Sequence, residues 1–379
     1  MADINVERLA KEFLALAQIS SPSYRERELG NYLIRRLRDL GLSVEEDDAG
    51  ERIGGNCGNI FARLEGTVEC QAIFFCAHMD TVQPGEGVKP VLQDGVFRSD
   101  GTTVLGGDDK AGIAAIIELL EVLKENKIAH GPIELLFTVG EEQGLRGSKN
   151  FDCSKFRARF GYVLDSSGKP GTIIVAAPTQ SILNFTVKGK SAHAGIEPER
   201  GINAIQAAGL GLARLRLGRI DAETTANIGV IKGGKATNIV PDLVYLEGEV
   251  RSLDRKKMES LVAEIIDKFT EAVESVGAKS EIKVSVEYPE FRLDPEMTVV
   301  KHASLAAGRA GLSVSLETSG GGSDANIFNA AGIPTANLGI GMQRVHTVEE
   351  FLELKDLIDD VRWLLEIVRS VAEREGKED

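Results

Sequence analysis

A mixed α/β fold interrupted by a second, α+β domain is what this chain of 379 residues predicts, on three observations. Apolar strand-like runs alternate with helical segments through the first half and again near the end. The stretch from about residue 180 to residue 290 changes to the order strand, helix, two strands, helix, strand. The length also exceeds what one hydrophobic core usually organises.

Taken in order, apolar residues at helical spacing fill VERLAKEFLALAQI. A second helix follows in SPSYRERELGNYLIRRLRDLGL, with Ser23 and Glu26 spaced as a capping box and Gly41 at its end. NIFARLEG and AIFFCAHMD read as short strands, a helix runs from about Asp109 to Lys124, and IELLFTV is a further apolar strand. ILNFTVKGKSAH, helix NAIQAAGLGLARL, TANIGVIKG, LVYLEGEVRSLD, helix KKMESLVAEIIDKFTEAVESV and EIKVSVEY then form the compact α+β unit. The α/β character resumes with helix HASLAAGRAG, glycine-rich SGGGSDANIF, strand PTANLGI and a closing helix from about Leu352 to Arg374. This order predicts a discontinuous first domain, residues 1–179 and 291–379, with residues 180–290 inserted. Only the last residues, EREGKED, have the composition of a disordered tail.

A formal net charge of -14 leaves no basic field to hold nucleic acid or an anionic membrane surface. No run approaches the roughly 18 apolar residues of a membrane span. The opening MADINVERLAKEF lacks the basic start and apolar core of an export signal, so a cytoplasmic location is expected. Cys57, Cys70, Cys76 and Cys153 show no CxxC spacing and are expected as free thiols.

Chemistry concentrates where strands end. AIFFCA runs directly into His78-Met79-Asp80, at the sheet edge where α/β proteins place their sites. Alone, this pair is more often a histidine satisfied by a neighbouring turn acid. In GGDDKAG, Asp109 has the position of a helix cap, which explains one aspartate but not Asp108 as well. FTVGEEQG puts Glu141 and Glu142 at the end of an apolar strand, where adjacent carboxylates repel unless a cation or a shared proton compensates. Asp165 ends the apolar run GYVL, and His346 precedes the closing helix. A dinuclear metal site needs mixed nitrogen and oxygen ligands, a carboxylate spanning both ions and a free acid for proton transfer, and this inventory supplies them.

The succession AHMDTV, GGDDKAG, TVGEEQG, YVLDSSG, GKSAHAG, GGKATNIVPD, VRSLD, GGGSDANIF and VHTVEEF resembles the peptidase T branch of the dinuclear zinc peptidases, relatives of glutamate carboxypeptidase, aminoacylase and succinyl-diaminopimelate desuccinylase. It covers nearly the whole chain in order. The resemblance implies a zinc-peptidase catalytic domain, a mixed sheet flanked by helices, with an inserted dimerisation or lid domain. It implies two zinc ions per subunit, with cobalt or manganese as substitutes. His78 and Asp165 would hold one ion, Glu142 and His346 the other, and Asp108 would bridge them. Asp109 becomes a supporting or helix-capping residue, Asp80 the acid orienting His78 from behind, and Glu141 the general base. His193 would steady the oxyanion in a partner subunit's site, which implies a homodimer. Asn238, Arg251, Gly321 and Gly322 match positions near the substrate. His130 and His302 fall outside every motif and are expected at the surface or as caps.

One position departs from the pattern. Peptidase T carries an arginine before its glycine pair, a clamp for a short peptide's terminal carboxylate, where this chain has Gly320. The backbone N–H groups of Gly320 to Ser323 would have to serve as an anion nest instead. The expected activity is hydrolysis of short peptides, as an aminopeptidase or tripeptidase. Amidohydrolysis of N-acyl amino acids or carboxypeptidase action on the same fold is the alternative, and a non-catalytic metal-dependent binding protein is the third reading, against which the intact Asp80 and Glu141 speak. In the glucanase-like aminopeptidases the extra domain interrupts the stretch between first histidine and bridging aspartate, which here, from His78 to Asp108, has no room for one.

Overall fold

The computed structural model describes residues 4–374, so the charged tail lies outside the described residues from residue 375 on. The chain divides into two compact units, Met1–Val175 with Arg292–Thr318 and Ser323–Asp379, and Ala176–Phe291 with Ser319–Gly322.

In the first unit a mixed sheet runs in the order Ser43–Glu46, Ile60–Leu64, Ile133–Thr138, Ile73–His78, Gly161–Ser166, Thr335–Gly339 and Thr172–Ala177. Ile73–His78 is parallel to both Ile133–Thr138 and Gly161–Ser166, and Thr335–Gly339 is parallel to Gly161–Ser166. The outer pairs are antiparallel. Every residue of Ile73–His78 and Ile133–Thr138 is buried, as near-continuous apolar strands covered on both faces must be. Fully buried Phe74, Phe75 and Phe137 each contribute roughly 1.5–3 kcal/mol of apolar burial.

Helix Gly107–Asn126 packs against strand Ile73–His78 and against helices Val6–Gln18 and Leu354–Arg374. It is buried on nearly every side, which explains a sequence apolar all round rather than along one stripe. Midway along it, buried Glu118 is met by Arg8 at 2.7 Å and 2.8 Å, so that carboxylate is paired.

The second unit is an antiparallel sheet in the order Gly218–Arg219, Thr224–Gly233, Leu243–Ser252, Thr179–Lys188, Lys279–Tyr288. From Ser181 to Lys188 buried residues alternate with more exposed ones. Phe185 and Val187 face helices Ala204–Ala213 and Arg255–Glu274 across a core that includes Leu246, Ile265 and Phe269.

Several local expectations fail for tertiary reasons. Ser23 and Glu26 form no capping box, because the helix starts at Arg27 and Glu26, its cap residue, makes no side-chain capping bond. The Ser23 hydroxyl instead donates to Asp80 Oδ2 at 2.7 Å, and Glu26 Oε1 accepts the N–H groups of Tyr24 and Gly140. His130 and His302 are core residues, 5 % and 4 % exposed. The first is bonded to the Gly131 carbonyl and the second to Ser370, with its ring stacked on Phe160. Residues 351–353, expected partly as helix, form a strand pairing with Val96–Arg98, and the closing helix starts at Leu354. All four cysteines are free, and among the described residues no helix is long and apolar enough to cross a membrane.

Candidate metal centre

Strand register brings the first residues together. Cys76 pairs with Val163 and His78 with Thr138, so Asp165, two residues past Val163, lies level with His78 on the same side of the pleat. The chain leaves Thr138 through Gly140 in the left-handed region, and Glu141 and Glu142 follow at the same edge.

His78 is 2 % exposed, and its Nδ1 lies 2.9 Å from the Asp80 carbonyl, which can only accept a hydrogen bond. That contact fixes Nδ1 as the donor and turns the Nε2 lone pair towards Asp108 Oδ1 at 2.9 Å and Asp165 Oδ1 at 3.8 Å. Burial alone would lower the His78 pKa, but the carboxylates of Asp108, Asp80 and Asp165 reverse this and hold it well above its ordinary value.

The other oxygen of Asp108 serves the second histidine: Oδ2 lies 3.2 Å from His346 Nε2, which is also 3.0 Å from Glu142 Oε1. Contacts with Asp108 and Glu142 raise the His346 pKa to about 10. His346 has φ 64°, a left-handed conformation uncommon outside glycine, in a loop closed at its base by reciprocal bonds between Gln343 and Phe351. Burial, followed by the nearby Asp165, raises the pKa of Glu141, and burial with Asp108 raises that of Asp165. Burial opposes but does not prevent a strong lowering at Asp108, which both histidines stabilise as an anion.

Three overlapping groups therefore have ligand atoms within 4.8 Å of one another: His78, Asp108 and Asp165; Asp108, Glu142 and His346; and His78, Glu141 and Glu142. Burial and neighbouring carboxylates raise Glu141 and Asp165, and facing acids raise both imidazoles, so the cluster is dense in negative charge. Imidazole nitrogen and carboxylate oxygen are the donors that zinc and its neighbours accept, so the cluster fits divalent metal.

Supporting residues surround it. Asp80 does not bond His78 through its carboxylate, whose Oδ1 is 3.6 Å from Nδ1. It accepts instead from the N–H of Glu141 at 2.9 Å and of Glu142 at 3.2 Å. Asp109 accepts from the N–H of His78 and of Gly112. Two acids carried no expectation. Asp324, in GGGSDANIF, is buried and accepts from Thr138 Oγ1 at 2.6 Å and Ser148 Oγ at 2.5 Å. Glu350, in VHTVEEF, is buried and accepts from the N–H groups of Leu105, Gly106 and Asp108. Both lie inside motifs, but their partners are 176 to 245 residues away, and such pairing leaves no local signal.

The remaining expected residues lie in the second unit. His193 is exposed, with Nδ1 accepting from Gly195 N–H, and its segment bonds that of Asn238, whose carbonyl accepts from Ala194. Arg251 makes a two-point ion pair with Glu249, both contacts 3.0 Å. The expected anion nest is corrected by its own bonding. Gly321 N–H donates to Ser319 Oγ, Gly322 N–H to Tyr288 Oη and Ser323 N–H to Asn326 Oδ1, so these three donors are already engaged. Gly322 is required there because a Cβ would lie 2.3 Å from the Tyr288 ring.

A mixed sheet delivering two imidazoles and a set of carboxylates to the ends of its parallel strands is the architecture of a metal-dependent hydrolase. The model of peptidase family M20/M25/M40 matches residues 74–370, and the chain belongs to that family, as a metallopeptidase catalysing metal-dependent peptide hydrolysis. It is similar to the uncharacterized protein YqjE of Bacillus subtilis (strain 168), 47% identical over 369 residues, which are 97% of this chain and 100% of the relative. Among solved structures, the aminopeptidase PepT from Bacillus cereus ATCC 10987 is 45% identical with a TM-score of 0.90, over 98% of this chain and 100% of that one. A tripeptidase from Staphylococcus aureus subsp. aureus Mu50 is 42% identical with a TM-score of 0.94, over 97% and 99%.

Proposed function

We propose that this chain is an aminopeptidase or tripeptidase acting on short peptides through two divalent ions, zinc by preference. The observation that carries this reading is the position of Asp108, with Oδ1 2.9 Å from Nε2 of His78 and Oδ2 3.2 Å from Nε2 of His346. A carboxylate facing two imidazoles through different oxygens has the arrangement of a bridge. His78 and Asp165 would complete one ion's ligands, Glu142 and His346 the other's. Two such ions, when bound, supply Lewis acidity for the substrate carbonyl and a water of lowered pKa.

Glu141 is then left to move the proton. Its backbone is fixed by Asp80, the residue is 9 % exposed, and burial raises its pKa above the ordinary carboxylate value. It takes a proton from the attacking water and returns it to the departing amine. Asp80 acts on Glu141 and Glu142 by holding their backbone, and on His78 by fixing the tautomer through its own carbonyl. His193, Asn238 and Arg251 are proposed substrate contacts, with Gly321 and Gly322 shaping the site through their backbone.

We further propose a cytoplasmic homodimer. Free thiols fit a reducing compartment. Edge strand Lys279–Tyr288 exposes Val284 and Val286 at 41% and 56%, apolar groups suited to a two-fold contact. Light scattering that finds only monomer would oppose the dimer.

Because the N–H groups of the glycine run are engaged, a grip on a tripeptide's terminal carboxylate is not built there, and amidohydrolysis of N-acyl amino acids stands as the alternative reading. A panel of free and N-blocked di- and tripeptides beside N-acyl amino acids decides. Cleavage of free-amine peptides alone supports the aminopeptidase, preference for acylated substrates supports the alternative, and no metal-dependent cleavage leaves a binding protein.

A further inference from the structure

We infer that Glu350 is a positioning residue that locks together the two loops bearing Asp108 and His346, and so sets the affinity of the ion they would share. This rests on the proposed assignment of both as ligands. The loop before helix Gly107–Asn126 has no ordinary capping: Gly106 sits at its start with φ 74° and no side-chain bond, and Asp108 and Asp109 are non-helical. Its amide groups are buried and need acceptors. Glu350 supplies them, Oε2 accepting from Leu105 N–H at 2.8 Å and Gly106 N–H at 2.9 Å, and Oε1 from Asp108 N–H at 3.0 Å. Gly107 admits the carboxylate, since a Cβ there would lie 3.0 Å from Oε1.

The other end of Glu350 belongs to the histidine's loop. Its N–H donates to the Thr347 carbonyl at 3.1 Å, and its neighbour Phe351 exchanges bonds of 3.0 Å and 3.1 Å with Gln343 to close the turn around His346. His346 therefore holds its left-handed backbone inside a turn whose base is anchored, through one carboxylate, to the backbone that aims Asp108. Neither His78 nor Asp165 is on these loops. Asp108 would serve both ions but His346 only one, so loss of the carboxylate should loosen the ion held by Asp108, Glu142 and His346 more than the one held with His78 and Asp165, an asymmetry a general packing role would not produce.

The test uses full-length Glu350→Ala and Glu350→Gln, with zinc affinity read by competition against a chromophoric chelator, cobalt(II) spectra of the loaded proteins, and thermal midpoints of the metal-free forms. Glu350→Ala should bind one ion roughly 10- to 100-fold more weakly than the wild type and the other with a clearly smaller loss, the cobalt bands being altered unequally. Glu350→Gln keeps one acceptor oxygen and should recover part of that loss. It also keeps the shape, so it carries the test if the alanine variant does not fold. Two ions bound with wild-type affinity in both variants would overturn the inference alone, as would equal weakening of both ions. A wild-type chain binding fewer than two ions would overturn the site assignment, and this inference with it.

Discussion

Glu141→Gln separates a proton-transfer role from metal ligation, and the geometry gives both a size. Glu141 belongs to one of the three groups able to hold an ion, with His78 and Glu142, while the other two groups share Asp108 and leave it out. With two divalent ions on the Asp108-sharing groups, each ion has its ligands without Glu141, which then needs no direct bond to an ion. Glutamine preserves the shape and the hydrogen bond that the backbone N–H donates to Asp80 Oδ1 at 2.9 Å, so backbone and fold stay in place. What is lost is the ability to take a proton, about 10²- to 10⁴-fold in turnover. That loss corresponds to about 3–5 kcal/mol of barrier. The assay is steady-state hydrolysis of a tripeptide at neutral pH, beside metal content after gel filtration. The expected outcome is slow turnover with two ions retained. Turnover within about tenfold of wild type, far short of what removing a general base costs, would refute the base assignment, and a drop to one ion would make Glu141 a ligand.

His346→Ala and Asp165→Asn should each lower metal content as well as rate; full stoichiometry in either variant would remove that residue from the ligand set. Gly322→Ala puts a Cβ 2.3 Å from the Tyr288 ring and strains the 3.1 Å bond to its hydroxyl, and should cost about 2–4 kcal/mol in urea unfolding. An unchanged midpoint would show that the ring moves freely. Asp360 is 1 % exposed with neither oxygen bonded to a protein group, and burial, then Asp356 and Asp359, push its pKa well above the usual carboxylate range. The folded state therefore keeps a proton that the unfolded chain releases above about pH 4, and stability falls as pH rises from there. Asp360→Asn should match the wild type near pH 4 and exceed it increasingly towards pH 8, by on the order of 1–3 kcal/mol; a difference independent of pH would count against the buried acid as its cause.

What the sequence disclosed was governed by local physics. Strands buried on both faces are written as unbroken apolar runs, so AIFFCA and IELLFT stood out and their final residues pointed to one edge. The α+β unit was legible because alternation in ILNFTVK and helical spacing in KKMESLVAEIIDKF have different periods. Short strands such as Val91–Gln93, wholly exposed, left no such signal. Ser23 and Glu26 misled because cap spacing is local, whereas their real partners, Asp80 and Gly140, lie 57 and 114 residues away. The same distance hid Glu350, whose bond to Asp108 N–H spans 242 residues. His130 and His302 escaped because a neighbouring carbonyl or serine suffices to bury a histidine, and that pairing leaves no periodic mark.

The fastening of Asp80 and Gly140 by Ser23 and Glu26 bears on where an experimenter may cut. The family match begins at residue 74, yet the first turn of chain beyond helix Val6–Gln18 reaches the peptide groups from which Glu141 and Glu142 project. A truncation designed on motif boundaries would keep the metal-facing side chains and discard their rear brace. An inactive fragment of that kind would reveal nothing about chemistry, and expression work should retain the N-terminal segment through at least Glu26.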